Sequence, residues 1–119
     1  MHLYFTMENI QSKKLKNIWT QREYLLGFNM LSTLESLFKL ARDRKNTPVK
    51  GSYTNKLLSD KSLSKEKVLE EINELIESVE KNTNKIHEAA DVFYHLIMYL
   101  EANNVKIEDV MEELNKRKK

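Results

Sequence analysis

The 119-residue sequence contains no cysteine, one proline and two glycines, and it has no long hydrophobic run. The absence of cysteine excludes disulfides, thiolate zinc sites and a thiol nucleophile. No apolar stretch approaches the roughly 18 residues of a membrane-spanning helix, and the first residues lack the apolar segment of a signal peptide. We therefore expect a single cytoplasmic domain with one hydrophobic core.

Positive charge is in excess only near the N-terminus. The net charge of +2 comes from residues 1–29, because acids and bases balance over residues 30–119. The basic end, Lys116 to Lys119, suits the negative C-terminal end of a helix dipole. A nucleic-acid-binding protein usually spreads basic and aromatic residues through its fold, so we expect neither a nucleic-acid nor a membrane partner.

The apolar residues recur at helical spacing, and no segment alternates with the period of a strand. The pattern predicts an all-α, four-helix-type bundle. A capping box at Ser32–Glu35 marks the expected start of the first helix, which Pro48 ends. The helices are expected at about residues 31–47, 64–81, 83–102 and 107–114.

Residues 1–29 are predicted to form an N-terminal extension, either a mobile arm or an extra helix, ahead of a helical domain at residues 30–119. A third hypothesis is that translation starts at Met30, just before the first strongly periodic helix.

The third predicted helix is apolar on every side, which is typical of a buried helix. Asp91 and His95 interrupt it, and Glu88 lies one turn before Asp91 on the same face. A buried carboxylate needs a cation or hydrogen bonds to compensate its lost hydration. Asp91 with His95 is therefore either a satisfied core pair or part of a metal site.

The second predicted helix carries Glu70, Glu71 and Glu74 within an arc of about 100°, at about 100° per residue. Taken alone, this arc would be ordinary solvated surface. Facing the carboxylates of the third helix, it would form an oxygen cage of the kind that Mg²⁺ or Mn²⁺ prefers. We favour the metal site.

The loop Gly51-Ser52-Tyr53-Thr54-Asn55-Lys56-Leu57 combines hydroxyls with a lysine, which can hold phosphate oxygens. It matches no Walker-type loop. Arg42, Arg44 and Lys45 add positive charge nearby, although basic residues are also favoured at the end of a helix.

In this order, these segments resemble the phosphoribosyl-ATP pyrophosphohydrolase family of histidine biosynthesis, within the wider MazG-type group of all-α nucleotide pyrophosphohydrolases. The motifs are Gly51-Ser52-Tyr53-Thr54 with Lys56-Leu57, Lys67-Val68 with Glu70-Glu71 and Glu74, Glu88-Ala89-Ala90-Asp91, and Tyr94-His95-Leu96. They span roughly residues 31–117. The family pattern has a glycine where this chain has Leu69, which leaves substrate selectivity open.

The resemblance implies hydrolysis of phosphoribosyl-ATP to phosphoribosyl-AMP and pyrophosphate. It implies Mg²⁺, with Mn²⁺ as an alternative, held by four ligands, and Glu70 as the group that positions or deprotonates water. The reverse assignment, Glu70 as ligand and Glu71 as base, stays open. The expected metal ligands are Glu71, Glu74, Glu88 and Asp91; the expected substrate-binding residues are Arg44, Ser52, Tyr53, Thr54, Lys56, Lys67 and His95. His95 would orient Asp91 or touch substrate, and orientation is favoured because hard cations prefer oxygen.

The family fold is a homodimer, and this sequence agrees, since a small bundle has trouble covering a helix that is apolar on every side. Two other functions remain open. One is a MazG-like house-cleaning nucleoside triphosphate pyrophosphohydrolase with the same metal cage. The other is a non-catalytic helical interaction module whose carboxylates are plain surface.

Overall fold

The computed structural model describes residues 21–118, with side chains from residue 32 onward. The expected extra N-terminal segment lies largely outside these residues. No strand occurs in the described range, so the all-α prediction is confirmed. The helices are α1 (Gln21–Asn46), α2 (Tyr53–Ser59), α3 (Lys61–Lys81), α4 (Lys85–Ala102) and α5 (Ile107–Lys116).

Residues 37–105 form one compact unit, and the described residues 21–36 and 106–118 group separately. In the 37–105 unit, α3 packs along α4, and the short helix α2 packs on both. Leu57 of α2 and Met98 of α4 are completely buried. The core of this unit consists of Ala41, Leu57, Leu58, Val92, Ile97, Met98 and Ala102.

Helix α1 begins earlier than the sequence predicts. It already runs from Gln21, so the predicted domain boundary at residue 30 falls inside it. Ser32 does not cap a helix start; its carbonyl oxygen instead accepts a hydrogen bond from the Ser36 hydroxyl at 3.0 Å. The capping-box pattern was misleading here because the residues before it also continue the helix.

The expected loop at residues 51–57 is mostly the helix α2. Gly51 has φ +80°, the left-handed region where a side chain would be strained, and it completes a turn in which Ser52 N donates to Val49 O at 3.1 Å. The Ser52 hydroxyl then accepts from Asn55 N at 3.2 Å and caps α2. Seven residues give too short an apolar pattern to distinguish such a helix from a loop.

Asp60 joins α2 to α3 without an intervening loop. Its backbone N–H donates to Lys56 O, ending α2, and its carboxylate accepts from Leu63 N at 3.0 Å, starting α3. Helix α3 therefore begins at Lys61 rather than at the predicted Ser64. At its other end Asn82 adopts a left-handed conformation, and α4 begins at Lys85, two residues later than predicted.

The ends of α1 and α4 are tied together by charged groups. The Glu101 carboxylate is buried, and its Oε1 lies 3.1 Å from Arg42 Nε. Lys45 Nζ donates to Glu101 O at 2.7 Å and to Asn104 Oδ1 at 2.9 Å. Arg42 and Lys45, two of the three basic residues at the end of α1, are thus held by groups at the end of α4.

The expectation that α4 is buried on every side is wrong for the single chain. Phe93 is 57% exposed, and Ile86 and Leu96 are also exposed. On α3, Leu69, Ile72, Ile76 and Val79 are exposed at alternating spacings of three and four residues. None of the described helices is long and apolar enough to cross a membrane.

Candidate active site

Helices α3 and α4 bring their carboxylates together. Glu71 and Glu74 lie one turn apart on α3 and face Glu88 of α4. One oxygen from each of these three residues lies within 4.8 Å of the others. This first carboxylate group combines residues from two helices, as the sequence predicts.

A second group overlaps the first and lies along α4. Ligand atoms of His87, Glu88 and Asp91 also lie within 4.8 Å of one another. Glu88 is common to both groups, so the four expected metal ligands lie in one continuous cluster. His87 was not predicted, because a single exposed histidine on a helix gives no periodic signal.

Two oxygens of this cluster are buried without a hydrogen-bond partner: Oε2 of Glu71 and Oε2 of Glu88. Leaving a buried carboxylate oxygen unpaired is costly, and a divalent cation would compensate both oxygens at once. Carboxylate oxygens from facing helices are the ligands that Mg²⁺ and Mn²⁺ prefer. The donor set therefore fits the expected ion.

The raised pKa values of Glu71 and Glu88 also indicate a cation site. Burial, together with the hydrogen bond and charge of Glu74, raises the pKa of Glu71 to about 7. Burial also raises the pKa of Glu88, and the negative charge of Glu74 adds to the effect. The cluster thus holds more negative charge than its surroundings stabilise, which is the condition that a bound cation relieves.

Glu70 lies beside the cluster and belongs to neither group. Its Oε2 is 3.1 Å from Lys67 Nζ, one turn earlier on α3, and this hydrogen bond is the main reason that the pKa of Lys67 is raised. The two side chains are partly exposed. Lys67 therefore holds the carboxylate of Glu70 on the solvent-exposed side of α3.

Helix α2 is attached to α4 through three aromatic side chains and Thr54. Tyr53 Oη lies 2.9 Å from His95 Nε2, and Thr54 Oγ1 is hydrogen-bonded to Tyr94 Oη at 2.5 Å. The Tyr53 and Tyr94 rings are stacked, with centroids 6.4 Å apart, and His95 meets each edge-on. Burial raises the pKa of Tyr53, and the carboxylates of Glu71 and Glu70 contribute to that rise.

Tyr53 also lines a cavity of about 640 Å³. Lys50 and Lys56 line it, together with the turn at Gly51 and Ser52. Arg44 Nη1 donates to the Ser52 hydroxyl at 2.7 Å, which places its guanidinium beside this turn.

The Asn55 side chain links two backbone segments next to the cavity. Its Nδ2 donates to Arg44 O at 2.8 Å, and its Oδ1 accepts from Val49 N at 2.8 Å. Neither Asn55 nor Lys50 was assigned a role from the sequence. The only sequence signal at Asn55 is its position three residues after Ser52, where its backbone N–H donates to the capping hydroxyl.

The expected substrate-binding residues are thus distributed over three places: the carboxylate cluster, the aromatic contact and the cavity. Lys67 lies next to the cluster, and His95 and Thr54 lie in the aromatic contact. Arg44, Ser52 and Lys56 lie at the cavity, and Tyr53 belongs to the aromatic contact and to the cavity.

Fold and site together define a class: an all-α protein with a carboxylate cluster suited to a divalent cation, beside a basic cavity rich in hydroxyl groups.

Comparison with known proteins narrows this class. The family model described as "Phosphoribosyl-ATP pyrophosphohydrolase" matches residues 31–118. The chain belongs to this family, and the resemblance in its motifs is confirmed.

Individual relatives agree. A phosphoribosyl-ATP pyrophosphatase of Clostridium acetobutylicum is 44% identical over 89 residues, covering 71% of this chain and 79% of the relative. One of Methanococcoides burtonii is 40% identical over 93 residues, covering 74% of this chain and 94% of the relative. A histidine biosynthesis bifunctional protein of Pyrococcus furiosus is 39% identical over 92 residues, which are 75% of this chain and 43% of that protein. No solved structure matches the chain.

Proposed function

We propose that this chain hydrolyses phosphoribosyl-ATP, consuming one water and releasing phosphoribosyl-AMP and pyrophosphate in histidine biosynthesis. Family membership supports the substrate and the pathway. The observation that carries the chemistry is the pair of buried, unpartnered oxygens of Glu71 and Glu88, which a divalent cation would complete. The cytoplasmic location expected from the sequence stays a prediction.

Glu71, Glu74, Glu88 and Asp91 are the proposed ligands of Mg²⁺, with Mn²⁺ as the alternative. Their overlapping groups support this assignment, because Glu88 belongs to both. When bound, the cation would neutralise charge on the leaving pyrophosphate and orient the attacking water.

Glu70 is the proposed group that positions or deprotonates the attacking water. It lies next to the cluster in sequence, and Lys67 holds its carboxylate at 3.1 Å. Glu71 belongs to a ligand group and Glu70 does not, which supports Glu70 as the base over the reverse assignment. A partly exposed carboxylate can also pass the proton on to solvent.

The cavity beside Tyr53 is the proposed place for the phosphates of the substrate. Lys56 and Lys50 supply positive charge, and Ser52 supplies a hydroxyl group. Thr54 is buried and hydrogen-bonded to Tyr94, so it holds α2 to α4 and does not line the cavity. Arg44 is held against Ser52, so its guanidinium is preorganised for a phosphate oxygen. We propose that Lys67 contacts the phosphates nearest the cluster and that His95 orients the site through Tyr53.

We propose that two copies of the chain pair through the exposed apolar stripes. On α3 the stripe is Leu69, Ile72, Ile76 and Val79, spaced like the seam of a helix that packs on another helix. The corresponding stripe on α4 has the same helical spacing and consists of Ile86, Phe93 and Leu96. Leu69, which replaces the family glycine, is exposed in this stripe, so it bears on pairing more directly than on substrate selectivity.

Two alternatives differ in what they require. A house-cleaning nucleoside triphosphate pyrophosphohydrolase would use the same carboxylates on a broader range of substrates. A non-catalytic interaction module would leave the buried oxygens of Glu71 and Glu88 without a purpose, so the geometry disfavours it.

The decisive experiment measures pyrophosphate release from phosphoribosyl-ATP, with and without Mg²⁺, beside a panel of ordinary nucleoside triphosphates. Selective turnover that requires the metal supports the proposal. Turnover of the whole panel favours the house-cleaning alternative. Absence of any turnover by protein that binds Mg²⁺ rejects both enzymatic functions.

A further inference from the structure

His87 lies at the edge of the carboxylate cluster, in the same ligand group as Glu88 and Asp91. Its Nε2 is 3.4 Å from Asp91 Oδ2. Ligands at adjacent positions of an octahedral ion, with bonds of about 2.0–2.2 Å, are separated by about 3 Å. A small rotation of the exposed ring would bring Nε2 to that separation.

The contact between His87 and Asp91 forms within a single helix, α4. His87 and Asp91 are four residues apart, so their side chains share one face of the helix. Glu88, between them, carries a buried oxygen without a partner. The imidazole side chain is 73% exposed, so nothing in the described residues encloses it or prevents the ring from turning towards an ion.

A nitrogen ligand changes which ion the site prefers. Mg²⁺ favours oxygen and gains little from imidazole, whereas affinity for nitrogen-containing sites rises from Mn²⁺ through Co²⁺ to the later transition metals. The carboxylates alone would accept Mg²⁺ and Mn²⁺ on charge and geometry. An added imidazole would favour the transition ion.

We propose that His87 is a metal ligand that sets the ion preference of this site towards Mn²⁺ and Co²⁺ over Mg²⁺. The inference rests on the proposed carboxylate metal site, and it does not depend on the identity of the substrate. The competing reading is an ordinary helical pair, in which His87 only hydrogen-bonds Asp91 and never touches the ion.

The test measures metal binding by the full chain without substrate. Mn²⁺ and Mg²⁺ affinities are determined by calorimetry for the wild type, His87→Ala and His87→Asp. Alanine is the best helix former, so the first substitution preserves α4. Thr83→Ala, a neutral change of an exposed side chain just before α4, is the matched control.

We expect His87→Ala to weaken Mn²⁺ binding by at least about tenfold, the lower end of the losses seen when groups around a metal are removed. Mg²⁺ binding should change much less. His87→Asp should bind both ions but lose the preference for Mn²⁺, because it supplies oxygen in place of nitrogen. Thr83→Ala should match the wild type.

Pulsed electron paramagnetic resonance of the Mn²⁺ complex provides a direct readout. Wild type should show coupling to an imidazole ¹⁴N, and His87→Ala should not. Bound Mn²⁺ without this coupling in the wild type, or equal losses of Mn²⁺ and Mg²⁺ affinity in His87→Ala, would overturn the role of His87 alone. If the wild type binds neither ion, the proposed metal site itself fails.

Discussion

The Tyr53 hydroxyl donates to His95 Nε2 across 2.9 Å, and this hydrogen bond joins the first residue of α2 to the helix that carries Glu88 and Asp91. The direction of this hydrogen bond follows from the contact that the other ring nitrogen of His95 makes. Nδ1 of His95 lies 2.7 Å from the backbone oxygen of Asp91, which can only accept. In the neutral imidazole Nδ1 therefore carries the proton, and Nε2 accepts from Tyr53.

Removing this hydrogen bond should loosen the attachment of α2 without emptying the metal site. Tyr53→Phe leaves His95 Nε2 without its donor, and we expect a loss of about 1 kcal/mol in the free energy of unfolding, measured with urea. The KM for phosphoribosyl-ATP should rise more than kcat falls, since Tyr53 also lines the cavity. A selective loss of Mg²⁺ affinity would contradict this division of roles.

The charge of Glu88 should be needed for stabilisation by metal. A saturating ion that binds only the folded chain stabilises it, by about 2.7 kcal/mol at one hundred times its dissociation constant. We expect Glu88→Gln to abolish the rise in Tm caused by Mg²⁺. Without metal, the variant should be at least as stable as the wild type, because repulsion from Glu74 and Asp91 is relieved.

Glu77→Gln is the control for this experiment. Glu77 is exposed on α3 and pairs with Lys81 at 2.6 Å, outside both ligand groups. Its metal-induced rise in Tm should equal that of the wild type. An undiminished rise in Glu88→Gln would show that Mg²⁺ binds elsewhere.

Stability of the metal-free chain should fall as the pH increases from about 4.5 to about 7. Within this window folded Glu71 keeps its proton, because its pKa is raised to about 7 from the usual 4.5, whereas unfolded Glu71 releases it. The folded state then binds more protons than the unfolded state, so the stabilising contribution of this group decreases with increasing pH.

The measurement is urea unfolding in EDTA across that range, for the wild type and Glu71→Gln. The difference in unfolding free energy between the two should change with pH in the predicted direction, which separates Glu71 from other titrating groups. A difference that is constant with pH would rule out the raised pKa.

A charge placed in the exposed stripe of α3 should prevent pairing. Ile76 is 51% exposed and central in the stripe, so Ile76→Asp would force a carboxylate into an apolar interface. We expect a dimer for the wild type and a monomer for the variant by sedimentation velocity. Val105→Asp, at an exposed apolar residue outside the stripe, should remain dimeric. A monomeric wild type at micromolar concentration would reject the interface.

Periodicity alone predicted the all-α class and the joining of Glu71 and Glu74 with Glu88, because helical spacing places residues on faces and buried faces must meet. It missed α2, whose seven residues are too short to show a period. It placed the start of α1 at Ser32, because a capping box also occurs inside a helix. It predicted that Phe93 is buried, whereas this side chain is exposed in the single chain. A sequence pattern cannot tell whether the same chain or a second copy covers an apolar face.

Asp60, which ends α2 and starts α3, has a consequence for how this chain can vary in length. A residue inserted there would turn α3 by about 100° relative to α2 and carry Glu71 off the face that meets Glu88. The number of residues between Ser52 and Glu71 is therefore expected to be fixed. Insertions and deletions that preserve the site are expected outside that interval, for example at the turn around Asn82–Asn84.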